Sequence, residues 1–468
     1  NKSDHIKFSN NLIEGEVSLI GGSINNTKLK KYFAKPDSNQ MINILNDREY
    51  FSQLIIKAKD LNIDTNIRFD KIIKKDSNEI LIGKNLGNKE ILIRYLIPED
   101  SYSITREIIV KNNSSKNFIF RFFEESIGEV LAQEYYDFGY YNGDEVENID
   151  STPSEPKKEI DDISWFGFSK KYFLVANLIE TAGEKTLKYE KKSTNLLRTV
   201  VSHKTINLLG NGQYSMVSDI FLGPKDYKIL SQYGSLEKAH DLGWFDWLAS
   251  PLEQLLNFSN KYIKNYGIAI IIITILIRIL FLPLTVKSMM SMKKMQSKMA
   301  LLKPKLDEIK EKFKDDKSTQ NSEIMKLYSK EGMNPLSSLS GCLPMLIQLP
   351  VFVALYNVLL YSLDLRHTSF MWISDLSSPE NLFDIFGIPF RALPLIMGIS
   401  WYITQKMTPP NPGADEFQTK IFQYMPILFT VMFWGLPSGL ILYWTISNII
   451  SIFQQIYINQ KFKRMQGA

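Results

Sequence analysis

The sequence predicts two unlike halves: an N-terminal all-β domain, and a membrane bundle of five α-helices built around a hydrophilic groove. Three observations lead there. Residues 1 to about 240 are polar and carry short β-branched runs punctuated by Asn, Ser, Gly and Pro, the pattern of antiparallel strands joined by turns. Residues 266–459 carry several apolar runs, the first long enough to cross ~30 Å of hydrocarbon as a helix. Lys and Arg are spread unequally over the segments between those runs, which sets an orientation.

The totals narrow the function classes. At 468 residues the chain exceeds one compact core, and its formal net charge of +5 does not argue for DNA. The single cysteine, Cys342, excludes an internal disulfide framework. With only four histidines and no ligand spacing, a zinc site is not expected. There is no phosphate loop, dinucleotide fingerprint or nucleophile elbow. No cofactor is therefore expected, and weight moves away from an enzyme.

Within 1–240, Ser103–Val110 and Asn117–Glu124 flank the turn-prone "KNNSSKN", which predicts a hairpin. "EILIRYLIPED" and "ISWFGFSKKYFLVANLIE" read as further strands. Asn142–Asp162 is acidic, carries Pro153 and Pro156, and reads as a loop. An antiparallel β-sandwich accommodates these elements, with a structural or docking role favoured over sugar binding. Next, 241–265 holds "LGWFDWLASPLEQLLNF". Trp244, Phe245 and Trp247 stand before Leu248, Leu252, Leu255 and Leu256, as in an amphipathic helix lying in a membrane interface. Packing on the outer domain is the competing reading.

Five spans follow: Tyr266–Val286, Cys342–Leu363, Ala392–Met407 (interrupted by Pro394), Ile421–Leu436 and Gly439–Ile458. Between them, 287–340 holds twelve Lys against seven acids, whereas 364–391 is poor in Lys and acidic. The tail 459–468 has Lys461, Lys463 and Arg464. This bias places 287–340, the loop 408–420 and the tail in the cytoplasm, and 1–240 outside. An outer domain of that size needs an export signal, so a signal anchor preceding Asn1 is expected.

The segment 287–340 predicts a helical hairpin, its second helix capped by Ser322 and ended by Gly332 and Pro335. Met289, Met292, Met295 and Met299 recur at roughly helical spacing. They suit a surface meeting varied apolar partners, or equally a hairpin packed on itself or on the membrane. Lys293, Lys294 and their neighbours suit anionic lipid headgroups or ribosomal RNA, although a solvated charged face is the commoner case.

Arg278 lies mid-span in "TILIRILFLPL", where a charge costs at least ~2.5 kcal/mol. Thr274, Arg278 and Thr285 fall on one helical side, away from Ile275, Ile279 and Leu280. Further polar residues occupy the other spans: Gln348, Asn357, Gln405, Thr445, Ser447, Asn448, Gln454 and Gln455. No span contains an acidic residue. An arginine without a carboxylate sits in water or awaits an anion, and a wet groove is favoured over snorkelling.

The motifs then become specific. "RILFLPLTVKSMMSMKKMQ", "KEGMNPLSSLSGCLPMLIQLPVFVALYNVL" and "PSGLILYWTISNIISIFQQ" resemble the conserved core of the YidC family of membrane protein insertases. "DISWFGFSKKYF" and "FLGPKDY" resemble the large periplasmic domain of its Gram-negative members, a β-supersandwich. The resemblance implies an inner-membrane insertase and chaperone for nascent membrane proteins, working alone or beside the Sec translocon. It implies that Arg278 attracts acidic outer tails, and that Gln405, Tyr443 and Trp444 line the groove or touch substrate. It further implies that the hairpin recruits substrate, with the ribosome and the signal-recognition receptor as partners, and that 409–418 forms the second cytoplasmic loop. A secondary transporter taking an anionic solute at Arg278 is the alternative, although paired repeats and broken helices are not evident.

Overall fold

The computed structural model describes residues 4–35, 38–58, 66–130, 137–149, 163–179, 185–193, 195–330, 343–407 and 416–466. It divides into two compact units, Asn1–Asp241 and Leu242–Ala468.

The first unit is all-β. Its strands are β1 (His5–Ser9), β2 (Ile13–Ser18), β3 (Ile24–Phe33), β4 (Met41–Lys57), β5 (Lys71–Lys75), β6 (Glu79–Leu86), β7 (Lys89–Leu96) and β8 (Ser103–Asn112). There follow β9 (Phe118–Glu129), β10 (Asp137–Tyr141), β11 (Val146–Ile149), β12 (Trp165–Ser169), β13 (Phe173–Ile179), β14 (Thr186–Ser193), β15 (Leu196–Leu208) and β16 (Gln213–Pro224). A seven-stranded sheet runs β1-β2-β3-β4-β9-β15-β14, and a nine-stranded sheet runs β11-β10-β12-β13-β16-β8-β7-β6-β5. All pairings in the two sheets are antiparallel. The sheets meet face to face: Phe51 of the first lies 6.0 Å from Phe166 and 6.3 Å from Phe168 of the second, ring to ring. This is the sandwich the strand pattern predicts.

Two local expectations need correction. β8 and β9 do not form a hairpin. β8 pairs with β7 and β16, whereas β9 pairs with β4 and β15 in the other sheet. Each strand alternates buried and partly exposed residues, so each buries one face, and the chain satisfies both by arching across the core. Asn112 holds the arch, its Nδ2 donating to the carbonyls of Lys116 (2.8 Å) and Leu209 (2.9 Å). The acidic segment from Asn142 contains a strand, β11, paired with β10; Pro153 and Pro156 fall outside the described residues.

A fully buried polar cluster lies between the sheets. Arg106 donates to Glu124, to the Ser52 carbonyl (3.0 Å) and to the Ser218 hydroxyl (3.1 Å). Asn177 and His203 each meet Glu124 at 2.7 Å. Burial alone pushes the Glu124 carboxyl up, but the adjacent Arg106 and the His203 hydrogen bond outweigh it and hold the group well below the usual carboxylate range. A short helix, α1 (Tyr227–Leu230), capped by Asp226, follows the last strand.

The second unit is helical: α2 (Asp246–Ile263), α3 (Tyr266–Lys312), α4 (Lys317–Lys330), α5 (Leu343–Tyr361), α6 (Ala392–Met407), α7 (Glu416–Met432) and α8 (Ser438–Gln466). A small hairpin, β17 (Phe383–Ile385) with β18 (Ile388–Phe390), precedes α6. The expected spans map onto α3, α5, α6, α7 with its 3-10 extension, and α8; α5 ends at Tyr361, two residues before the expected end at Leu363, and Cys342 lies outside the described residues. Among the described residues, α3 and α8 are long and apolar enough to cross a membrane.

The helix starts and ends have local causes. α3 begins at Asn265, whose side chain accepts from the Ile268 amide. It continues without a break past Val286, so the first span and the first hairpin helix are one rod. Pro394 does not interrupt α6; it sits in the first turn, where a missing N–H costs nothing. α2 buries Ala249, Leu252 and Leu256 in the helical core and leaves Trp247, Phe258 and Tyr262 exposed.

Candidate functional site

Arg278 projects from α3 toward α8. Its Nε and Nη2 both donate to the Ser447 hydroxyl, at 2.8 and 2.6 Å. Gln348 of α5 donates to the same hydroxyl (3.2 Å) and to the Tyr443 hydroxyl (3.4 Å). Tyr443 and Ser447 are one helical turn apart on α8, which brings both to this face. Three helices thus converge on one guanidinium. Among the described residues its partner is neutral, and no carboxylate pairs with it.

A small open cleft adjoins it. Ile277, Arg278, Phe281, Leu284, Thr285, Ser288 and Gln348 line it. One side is polar and one apolar. Leu284 is exposed, as are Ile275, Ile279 and Leu280 around the rest of α3. The arrangement offers an anion one positive charge and several hydroxyl or amide groups, beside a surface that apolar side chains fit.

The predicted site residues separate into three groups. Arg278 and Thr285 line the cleft, and Tyr443, buried, supports it through Gln348. Thr274 does not line it: the side chain is fully buried and its hydroxyl donates to the Ile270 carbonyl (2.6 Å) of the same helix. Back-bonding of this kind satisfies a lone threonine in an apolar helix. Trp444 is partly buried in an aromatic cluster, with ring centroids 4.8 Å from Phe352, 5.0 Å from Phe433 and 5.3 Å from Trp401. Gln405, on α6, is not among the lining residues. Ser447, which meets Arg278, and the cleft residues Gln348 and Ser288 are not in the stripe read on α3. The visible signal for the first two was their polarity within apolar spans.

Other polar residues of the bundle tie helices together. Asn448 donates to Ser400 (3.1 Å) and Gln455 to the Met407 carbonyl (2.9 Å), both fastening α8 to α6. Asn357 of α5 donates to the Leu242 carbonyl (2.7 Å).

The expected hairpin is present as the far half of α3 with α4. Its cap is Asp316, not Ser322: the Asp316 carboxylate accepts from the amides of Ser318 and Thr319 at 3.1 Å each. α4 therefore starts at Lys317, and Ser322 lies inside it. Gln320 in turn donates to the Lys310 carbonyl (2.9 Å), satisfying the open end of α3. Met295 and Met299 pack with Leu302, Leu306, Ile324, Leu327 and Tyr328 inside the hairpin. Met292 is buried and Met289 partly so. Lys293 lies 5.7 Å from the Phe462 ring of α8, and Lys294 is exposed. Among the described residues, the large apolar side chains the hairpin exposes are Leu301 and Met325. Gly332 and Pro335, the segment 331–342 and the loop 408–415 lie outside the described residues.

Fold and cleft together define a helical membrane protein that carries a large all-β domain. Residues 258–465 match the family described as 60Kd inner membrane protein, and residues 5–255 match the YidC periplasmic domain. The chain belongs to the YidC family of inner membrane proteins. It is similar to the membrane protein insertase YidC of Pelobacter propionicus, 44% identical over 324 residues, covering 68% of this chain and 58% of the relative. Likeness to the corresponding protein of Geotalea daltonii is 43% over 322 residues, with the same coverage, 68% and 58%. For that of Syntrophus aciditrophicus it is 44% over 326 residues, covering 69% and 57%. The matched stretch thus spans under two thirds of these relatives' length. Among solved structures, an active YidC insertase is similar at 20% identity and a TM-score of 0.40, covering 97% of this chain and 92% of that one.

Proposed function

We propose that this chain is a membrane protein insertase, the role named for its relatives, and that the three-helix cleft is where an incoming chain is received. One observation carries the reading: Arg278, midway along the first expected span, has a neutral hydroxyl as its described partner. A cation in that setting attracts a carboxylate more strongly than it would in water. The single hydroxyl leaves the guanidinium free to exchange partners, so the hold on a substrate's acidic outer tail is transient. Apolar substrate residues then pass along Ile277, Phe281 and Leu284 toward lipid, driven by their own burial.

In this reading the all-β unit is periplasmic, α2 lies in the outer interface, and the α3–α4 hairpin and the C-terminal tail are cytoplasmic. The Sec translocon, the ribosome, the signal-recognition receptor and anionic lipids are partners on the same footing. The hairpin would engage substrate through exposed Leu301 and Met325 beside Lys294, with Met295 and Met299 holding its two helices together. Insertion of a single-span substrate with an acidic outer tail into vesicles holding only this chain tests the proposal. Protease protection of that tail is expected; insertion no better than into empty vesicles would sink it.

A further inference from the structure

The loop between α5 and α6 ends in an uncovered hairpin. Residues 381–388 are all exposed, and Phe386 at the tip is 102% exposed. The register pairs Phe383 with Phe390 and Ile385 with Ile388, and sets Asp384 opposite Pro389. Side chains alternate across a sheet, so one face carries Phe383, Ile385, Ile388 and Phe390 alone. The Phe383 and Phe390 rings stack at 4.9 Å. Asp384 is the one charge between Leu382 and Phe390.

The tip is costly in two ways. Phe386 has φ 51° and Gly387 has φ 80°, a turn that ordinarily takes Asn or Asp at its first position. A bulky aromatic held there, wholly exposed, has no explanation in the fold of this unit. The base, by contrast, is firmly set. On one side Glu380 accepts from the Trp372 indole and from the Leu393 amide, both at 2.6 Å. On the other, Arg391 donates to the Trp434 carbonyl. Arg391 is also the last residue before α6.

We propose that this hairpin lies in the membrane interface with its Phe–Ile face and Phe386 tip in lipid, anchoring the outer end of α6. Lipid is the occupant because α6, read as a span, begins two residues after β18; the bilayer is the one neighbour that arrangement guarantees. The composition agrees, since aromatic side chains collect at the membrane–water boundary. The exposed Trp247, Phe258 and Tyr262 of α2, just ahead of the α3 span, give a second aromatic set on the same side of the bundle. The inference rests on α6 crossing the membrane and not on the insertase reading.

The test uses the full chain with Cys342→Ala and one new cysteine, Phe386→Cys or Ile388→Cys, carrying an environment-sensitive fluorophore. The chain is placed in phosphatidylethanolamine and phosphatidylglycerol vesicles. Asp315→Cys, exposed in the turn beyond the far end of α3, supplies the aqueous reference, with iodide equilibrated on both faces of the vesicles because that turn and the hairpin tip face opposite sides. Iodide should quench the tip label several-fold less than the Asp315 label. Nitroxide lipids labelled near the headgroup should quench it more than lipids labelled at the chain end. Iodide quenching equal to the reference, with no effect of nitroxide lipid, overturns the proposal and leaves the face for a protein. Neither outcome depends on insertion activity.

Discussion

Replacing Arg278 by Ala tests the cleft most directly, and the structure sets the scale. A carboxylate approaching to ~4 Å gains ~4 kcal/mol at an effective dielectric of about 20. To receive it, the guanidinium gives up its hold on Ser447, and a hydrogen bond to a charged group is worth ~1.5–3 kcal/mol. The difference, ~1–2.5 kcal/mol, corresponds to roughly 5-fold to 70-fold in capture. Arg278→Ala should therefore lower crosslinking and insertion of an acidic-tailed substrate by about that factor, and leave its neutral-tailed counterpart close to unchanged. Arg278→Lys should retain much of the activity, since it keeps the charge. Ser447→Ala should not reproduce the Arg278→Ala defect; by removing the competing hydroxyl it should hold acidic tails as well or better. Equal loss for acidic and neutral tails, or a Ser447→Ala defect matching Arg278→Ala, would refute the reasoning and make the arginine a packing element.

Three further outcomes concern stability. Glu124→Gln should destabilise the β unit by ~3–5 kcal/mol, read by denaturant unfolding, because it leaves Arg106 buried without its counter-charge. The lowered carboxyl of Glu124 stabilises the fold above the unfolded-state value near ~4.3 and loses that contribution as pH falls below it, so wild type should weaken toward acid more steeply than the variant. Gly398→Ala should lower thermal stability: a Cβ there would meet the Thr430 hydroxyl at 2.1 Å, and Thr430→Ala in the same chain should restore part of the loss. Gln320→Ala should cost ~1 kcal/mol and speed proteolysis of α4, by opening the carbonyl end of α3.

How far the sequence could be read differs from element to element. Apolar runs of span length and alternating β-branched runs report their own periodicity, so α3, α8 and the strands β7, β8, β9, β12 and β13 were visible. β8 and β9 show where that ends. Their sequences and the turn between them suit a hairpin, yet each finds its partners in a different sheet, because pairing depends on strands distant along the chain. Ser322 and Asp316 offer equivalent cap chemistry within six residues, and the choice between them depends on how α4 lies against the end of α3.

The site divides along the same line. By itself the sequence determined that the first span carries a charge, that no span carries an acid, and that the chain has two unlike halves, since each follows from residue type and order. Only the tertiary structure decided which polar residues meet that charge. Thr274 shares the expected face of Arg278 but bonds to its own backbone, whereas Ser447 and Gln348, 169 and 70 positions away, converge on it. A helix period says which residues share a side. It cannot say which side another helix covers; that is settled by packing, which buried Thr274, set Trp444 in an aromatic cluster and left Arg278 against one hydroxyl at the edge of an open cleft.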